Sequence, residues 1–372
     1  MPAVREPVEK AVPSPAPDTS PPITAVDRPD ILYVGARDSV EEQLALRAGL
    51  PFTAVETGQL RGKAPGTVVR NLLRILRGIG SARELIRDFD PGAVLVTGGY
   101  VSVPVVIAAR SQRRPVLIYL PDLTPGLAIR VLGRLATQVA VTFPETERYF
   151  PGKGFVSGYP VRRRLVEAAE DRAAARGAFD LDPEETTLLI FGGSTGARSI
   201  NRAVARLLPD LLTICQVIHV SGQADWPMVK EATRSLAAHL QLRYRCFAYL
   251  HEKMAQALAA ADLALSRAGA AVLGEYPALG LPSVLVPYPH AGRHQEANAQ
   301  YLASRGAAVL VDDAALGERL MPTLQSLLAD EPTRRRMRSC ALGLARFDAA
   351  QRIGDALSTL ARSTQERSSK RG

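Results

Sequence analysis

The chain has 372 residues, 47% of them apolar and 22% charged, which is a globular composition with material for two or three domains of ordinary size. The net charge of +9 suits an anionic partner such as a phosphorylated substrate, an anionic membrane face or nucleic acid. Three cysteines (Cys215, Cys246, Cys340) without paired spacing argue against a disulfide framework or a zinc site.

Residues 1–29 carry eight of the 27 prolines and no aromatic residue, so they bury too little apolar surface to fold alone and read as a disordered stretch. They hold no apolar run of signal-peptide type. From residue 30, short apolar runs alternate with helical patterns. Ile31–Gly35, Ala93–Thr97 and Val116–Leu120 read as buried strands, with helices at Ser39–Ala48, Val68–Phe89 and Val105–Arg113 between them. The longest uncharged run, Gly92 to Ala109, contains Gly98, Gly99 and Pro104 and reads as strand, loop and helix rather than a membrane span. After a charged helix at Arg162–Arg176 the pattern restarts, with strands at Thr187–Phe191, Gln216–Val220, Asp262–Ser266, Ser283–Pro287 and Ala308–Val311. Helices are expected at Arg198–Leu207, Ala270–Leu279, Gln295–Ser304 and Leu316–Leu328, then over Arg334–Ala361 before a basic tail from Arg362. This βαβ grammar predicts an α/β protein of two Rossmann-like domains facing a cleft. The boundaries read as 1–29, 30–160, 161–345 and a C-terminal helix and tail at 346–372.

The first chemistry-bearing motif is Gly192-Gly193-Ser194-Thr195-Gly196-Ala197-Arg198, between a strand and a helix. Glycines let the backbone approach a ligand, and a helix start offers free N–H groups and partial positive charge, so a diphosphate fits; a plain tight turn has the same sequence. Downstream lie Ser266-Arg267-Ala268-Gly269-Ala270, then Glu275 in a helix expected to start near Gly269, then Ala278-Leu279-Gly280-Leu281-Pro282. A carboxylate at Glu275 could accept both hydroxyls of a ribose; its bland alternative is a solvated helix charge. His290 and His294 stand four apart in the next loop, but without an H-E-x-x-H pattern they do not read as metal ligands. The Asp180-x-Asp182 pair precedes a proline and reads as a loop cap.

These motifs, with His294-Gln295-Glu296-Ala297-Asn298-Ala299, resemble glycosyltransferase family 28, which contains the peptidoglycan lipid-linked N-acetylglucosaminyltransferases. Leu60-Arg61-Gly62-Lys63, Gly98-Gly99-Tyr100-Val101-Ser102, Pro125-Gly126-Leu127-Ala128, Phe143-Pro144-Glu145-Thr146 and Gly158-Tyr159-Pro160-Val161-Arg162 agree, so the resemblance covers about residues 30–360. It implies a glycosyltransferase B fold and inverting transfer of N-acetylglucosamine from UDP-N-acetylglucosamine to an undecaprenyl-diphosphate-linked acceptor. It also implies no cofactor or essential metal and a peripheral place on the cytoplasmic face of the cell membrane. On the matching motifs, Ser194 and the neighbouring Gly193, Thr195 and Gly196 would hold the diphosphate with Arg162 beside it, Glu275 would hold the ribose, and Gly269 would belong to the same donor site. Tyr249, Leu250 and Met254 would line the uracil pocket, and His294, Gln295 and Asn298 would face the sugar. Gly98, Gly99, Tyr100 and Ser102 fall on the acceptor side.

The departures are Thr195 for Gln, Tyr159 for Asn, and Leu120-Pro121-Asp122-Leu123 where a His-Glu-Gln-Asn run is common. The family also opens on a GGTGGH-type loop whose histidine is its favoured general base. Here the segment before Ile31 has no glycine or histidine, so the first βα unit of the N-terminal domain is expected to be missing and a sheet position unpaired. Asp122 is then the one substitute base, or else a turn carboxylate before Pro125. Two readings stay open: a true transferase whose start lies elsewhere, or a degenerate UDP-sugar-binding relative. A transferase of another donor or acceptor, an epimerase on the same plan and a non-catalytic binding module are the rivals.

The helix Val68–Phe89 places Arg70, Arg74 and Arg77 beside Leu72, Leu73, Leu76 and Ile79. A basic amphipathic helix can lie on an anionic bilayer, or pack its leucines inward as an ordinary surface helix. Ile129–Leu135, with Arg130 and Arg134, is the second such stretch. No interleaved aromatics accompany the charge, so nucleic acid is not expected as a partner.

Overall fold

The computed structural model of the chain describes residues 30–57, 65–193, 197–290 and 294–369, without the side chains of 65–72 and 367–369. The chain divides into two compact units, one reaching to Val55 and one from Glu56 onward.

The first unit holds two parallel strands, β1 (Tyr33–Gly35) and β2 (Phe52–Ala54), connected through the helix Val40–Arg47. That helix starts where its sequence says it should. The Ser39 hydroxyl accepts from the Glu42 amide at 3.2 Å, and the Glu42 carboxylate accepts in return from the Asp38 amide at 2.7 Å.

The second unit contains two parallel sheets. The four-stranded one has the order β3 (Val94–Val96), β4 (Val116–Leu120), β5 (Gln138–Val141), β6 (Gly154–Val156). Among the described residues β3 pairs with β4 alone. The six-stranded sheet comprises β7 (Thr187–Phe191), β8 (Gln216–Val220), β9 (Tyr244–Phe247), β10 (Leu263–Ser266), β11 (Ser283–Leu285) and β12 (Ala308–Leu310). Its spatial order is β12-β11-β10-β7-β8-β9. Because side chains alternate along a strand, Leu189, Ile218, Ala264 and Leu285 enter one core, while Leu188, Ile190, Val217, Leu265 and Val284 enter another on the opposite face. The strand order reverses between β7 and β10, and a doubly wound sheet opens its ligand crevice at the C-terminal ends of the strands flanking such a reversal.

Several elements differ from the sequence reading. The charged helix breaks at Asp171 into Arg163–Glu170 and Arg172–Gly177, because the Asp171 carboxylate caps the second piece by accepting from the Ala174 amide. The C-terminal stretch is two helices, Glu331–Leu342 and Ala349–Ser369, so the expected basic tail from Arg362 is helical through Ser369. This last helix returns to the four-stranded sheet, where Ile353 packs with Leu117 and Ala140. No helix among the described residues is long and apolar enough to cross a membrane.

Candidate active site

A cavity of about 240 Å³ lies at the reversal point, lined by Phe191, Gly192, Gly193, Arg267, Gly269, Glu275 and Gln295 among others. Gly193 has φ +85°, a conformation glycine adopts without a Cβ penalty. Ser194, Thr195 and Gly196 lie outside the described residues; the chain resumes at Ala197, the N-cap of the 17-residue helix Arg198–Ile214. The predicted diphosphate loop therefore leads from the end of β7 straight to a long helix N-terminus.

Glu275 does not sit inside a helix begun at Gly269. A 3₁₀ turn (Ala270–Leu273) ends at Gly274, and Glu275 opens a separate short helix, Glu275–Leu279. The Tyr159 ring occupies the space a Cβ on residue 274 would need, so glycine is the residue that fits at this junction. The next residue, Tyr276, is fully buried with its hydroxyl 2.7 Å from Ser266 Oγ, which pins the helix and leaves Glu275 facing the cavity. The Glu275 side chain is only 14% exposed, and its Oε1 accepts from Arg162 Nη2 at 3.0 Å. Burial pushes the Tyr159 phenol up to about 12; the Glu275 carboxylate adds to this, Arg162 opposes it and Asp122 adds again. Tyr159 thus stands within electrostatic reach of both carboxylates, a placement the sequence reading missed although it marked this position as a departure.

In the sequence Arg267 reads only as part of a motif. It is a buried cross-link at the C-terminal end of β10: Nη1 donates to Asp313 Oδ1 at 2.6 Å and to the Val286 carbonyl at 3.2 Å, and Nη2 donates to Ser199 Oγ at 2.7 Å. It therefore ties the first turn of the helix Arg198–Ile214 to the strand ends beside the cavity. The other side of that helix is held by a buried polar chain. Asn201 Nδ2 donates to Asp225 Oδ2 (2.8 Å) and the Ser221 carbonyl (2.9 Å), so its Oδ1 accepts from His219 Nε2 (3.0 Å), leaving His219 Nδ1 to accept from the Tyr244 hydroxyl (2.7 Å). Burial lowers the His219 pKa to about 4, the value of a structural neutral imidazole.

The residues expected to face the sugar separate. Gln295 lines the cavity, with Oε1 accepting from the Tyr288 amide at 2.9 Å. His294 opens the helix His294–Ser304, and its Nδ1 lies 3.0 Å from the Thr124 carbonyl, a contact that requires the proton on Nδ1. Asn298 departs from the expectation. It is completely buried; Nδ2 donates to Asp122 Oδ1 (2.9 Å) and the Ala268 carbonyl (3.1 Å), and Oδ1 accepts from the Leu123 amide (3.1 Å). Its amide is a tie between the β4 loop and β10 rather than a wall of the sugar site. Asp122, the carboxylate expected as a substitute base, is correspondingly held by Asn298.

Tyr249, Leu250 and Met254 are not among the residues lining the cavity. Leu250 is buried in the core, Met254 packs against it, and Tyr249 is half exposed beside His251. On the acceptor side, Gly98 (φ +116°) and Gly99 (φ +81°) form a turn closed by the Ser102 hydroxyl, which donates to the Gly98 carbonyl; Tyr100 is 52% exposed. The helix Pro65–Phe89 buries Ile75, Ala82 and Ile86 but turns Leu73, Leu76, Arg74 and Arg77 outward, so Leu73 and Leu76 do not pack inward, while the Leu72 side chain lies outside the described residues. The Arg70 side chain lies outside the described residues. The helix Leu127–Leu135 likewise exposes Leu127, Val131, Arg130 and Arg134 while burying Leu132.

The sequence pattern of the glycosyltransferase family 28 C-terminal domain matches residues 187–353, and that of the N-terminal domain matches residues 26–141. A UDP-N-acetylglucosamine--N-acetylmuramyl-(pentapeptide) pyrophosphoryl-undecaprenol N-acetylglucosamine transferase of Roseiflexus sp. (strain RS-1) is 44% identical over 369 residues, covering 88% of this chain and 83% of that protein. Its namesake from Bacillus subtilis (strain 168) is 33% identical over 335 residues, covering 89% and 91%. The crystal structure of Acinetobacter baumannii MurG superposes with a TM-score of 0.68 at 27% identity, covering 88% of this chain and 90% of that one. The UDP-GlcNAc 2-epimerase of Neisseria meningitidis shares the fold, with a TM-score of 0.61 at 15% identity over 88% and 91% of the two chains. With both domain patterns matched and relatives this similar along most of its length, the chain belongs to glycosyltransferase family 28, alongside the MurG-type N-acetylglucosamine transferases.

Proposed function

We propose that the chain is a hexosyltransferase that moves N-acetylglucosamine from UDP-N-acetylglucosamine to a muramyl-pentapeptide diphospho-undecaprenol acceptor, with inversion, the lipid I to lipid II step of peptidoglycan synthesis. The observation that carries this reading is the single cavity in which three separate motifs meet: Gly193 after β7, Glu275 after β10 and Gln295 on the following helix. Glu275 takes the ribose hydroxyls, Gln295 with His294 the sugar, and the loop after Gly193 the diphosphate. As the sugar departs from UDP, negative charge grows on the diphosphate. In this reading the N-terminus of the helix Arg198–Ile214 and the Arg162 guanidinium stabilise it. Asn298 acts by positioning, because it holds the Asp122–Leu123 loop against the donor half. A general base for the acceptor hydroxyl is worth on the order of 10²–10⁴ in rate, and Asp122 is the carboxylate we assign to that part.

The acceptor is a membrane lipid, and we place the chain peripherally on the cytoplasmic face of the membrane through the two helices that turn apolar and basic side chains outward together. Leu73 and Leu76 are 52% and 56% exposed beside Arg74 and Arg77, and Leu127 and Val131 are 79% and 47% exposed beside Arg130 and Arg134. The test compares transfer of radiolabelled N-acetylglucosamine by the parent and by Leu73→Asp/Leu76→Asp. One acceptor is embedded in anionic vesicles and the other is a short-chain form dispersed in detergent. The double variant should lose roughly ten-fold or more with the vesicle acceptor, since each leucine contributes about 1.5–3 kcal/mol when buried, and should match the parent with the dispersed one. Equal activity on vesicles would remove this face from the account.

A further inference from the structure

The ion pair between Arg162 and Glu275 is asymmetric. Glu275 is held at the cavity wall, 14% exposed, by the buried Tyr276 behind it and the Tyr159 ring on Gly274 beside it. Arg162 is 65% exposed, stands just before the helix Arg163–Glu170 with no side-chain bond to it, and reaches Glu275 through one N–H at 3.0 Å. The carboxylate is therefore the fixed partner and the guanidinium the one on a long, solvated arm. We infer that Arg162 is a specificity-determining residue that makes use of the Glu275 carboxylate conditional on a diphosphate. A nucleoside alone must displace the guanidinium from Glu275 and leave it in water. A nucleoside diphosphate offers the same guanidinium a second anion within reach, so Arg162 transfers from carboxylate to phosphate as the ribose hydroxyls take its place. The pair is broken for either ligand, which weakens the binding of both, but only the diphosphate gives the displaced guanidinium a new anion, so removing Arg162 should help the nucleoside and harm the nucleotide. This rests on the reading of Glu275 as the ribose carboxylate and Arg162 as a diphosphate ligand.

The experiment is calorimetric binding of uridine and of UDP to the parent, Arg162→Met and Glu275→Ala. Met keeps most of the aliphatic stem, and uridine binding itself reports an intact pocket. In Arg162→Met, uridine should bind more tightly than to the parent, by up to about five-fold, the range of an exposed ion pair. UDP should bind more weakly by on the order of ten- to a hundred-fold through loss of a charge-assisted contact. Uridine binding that is unchanged or weaker in Arg162→Met, while Glu275→Ala weakens it, overturns the exchange and leaves the ribose assignment standing. Unchanged uridine affinity in Glu275→Ala overturns the ribose assignment itself, and the inference with it.

Discussion

Replacing Asn298 by alanine should lower the stability of the chain by about 3–5 kcal/mol, among the largest effects of any single side chain discussed above. The reason is what the amide leaves behind. The Ala268 carbonyl is in a buried region, and Asp122 Oδ1 and the Leu123 amide are partly buried; each loses its partner at once. A buried polar group without a partner costs about 1–3 kcal/mol, more when charged. Thermal denaturation reads the effect as a fall in Tm of roughly 6–15 °C. A residue that only touched the sugar would show the opposite pattern, an unchanged Tm with weaker donor binding. A Tm within about 2 °C of the parent would therefore return Asn298 to the sugar site.

Acid should destabilise the chain through His219. Its folded pKa is about 4, below the ordinary 6.5, because burial disfavours the imidazolium. A depressed folded pKa means that the unfolded chain takes up the proton first. The stabilisation is therefore complete above pH 6.5 and is lost as pH falls from 6.5 towards 4. The shift is equivalent to about 3 kcal/mol across that window. Urea unfolding at pH 7.5 and pH 4.5, for the parent and for His219→Gln, isolates the contribution. The parent should lose about 2–3 kcal/mol more than the variant between the two conditions. An identical pH dependence would show that His219 titrates normally and that the chain Asn201–His219–Tyr244 is not closed to solvent.

The donor half was legible because its chemistry is local in sequence. The Gly192–Gly193 turn follows a strand and precedes a helix within a few residues, and Glu275 and Gln295 follow strands of the same sheet, so the switch-point geometry brings them to one cavity. What escaped the sequence reading depends on partners far along the chain. Periodicity draws one helix from Ala270 to Leu279, whereas two elements meet at Gly274, against which the distant Tyr159 ring packs. Asn298 and His294 lie in a motif that suggests sugar hydroxyls, yet Asp122, Leu123 and Thr124, some 170 residues away, together with Ala268, take up the Asn298 amide and the His294 Nδ1 proton. Arg267 reads as one letter of a motif until Ser199 and Asp313 close around it. The strands β2, β5, β6 and β9 are not found from the sequence pattern.

The central claim is that this chain itself transfers N-acetylglucosamine to a lipid diphosphate acceptor. It is tested most directly by incubating the full chain with radiolabelled UDP-N-acetylglucosamine and undecaprenyl-diphospho-muramyl-pentapeptide in anionic vesicles, and counting label in the lipid phase against UDP released. The account predicts lipid-linked label and UDP in equal amounts. UDP-sugar that binds and is recovered unchanged, or is converted to another UDP-sugar with no label in the lipid, would contradict it.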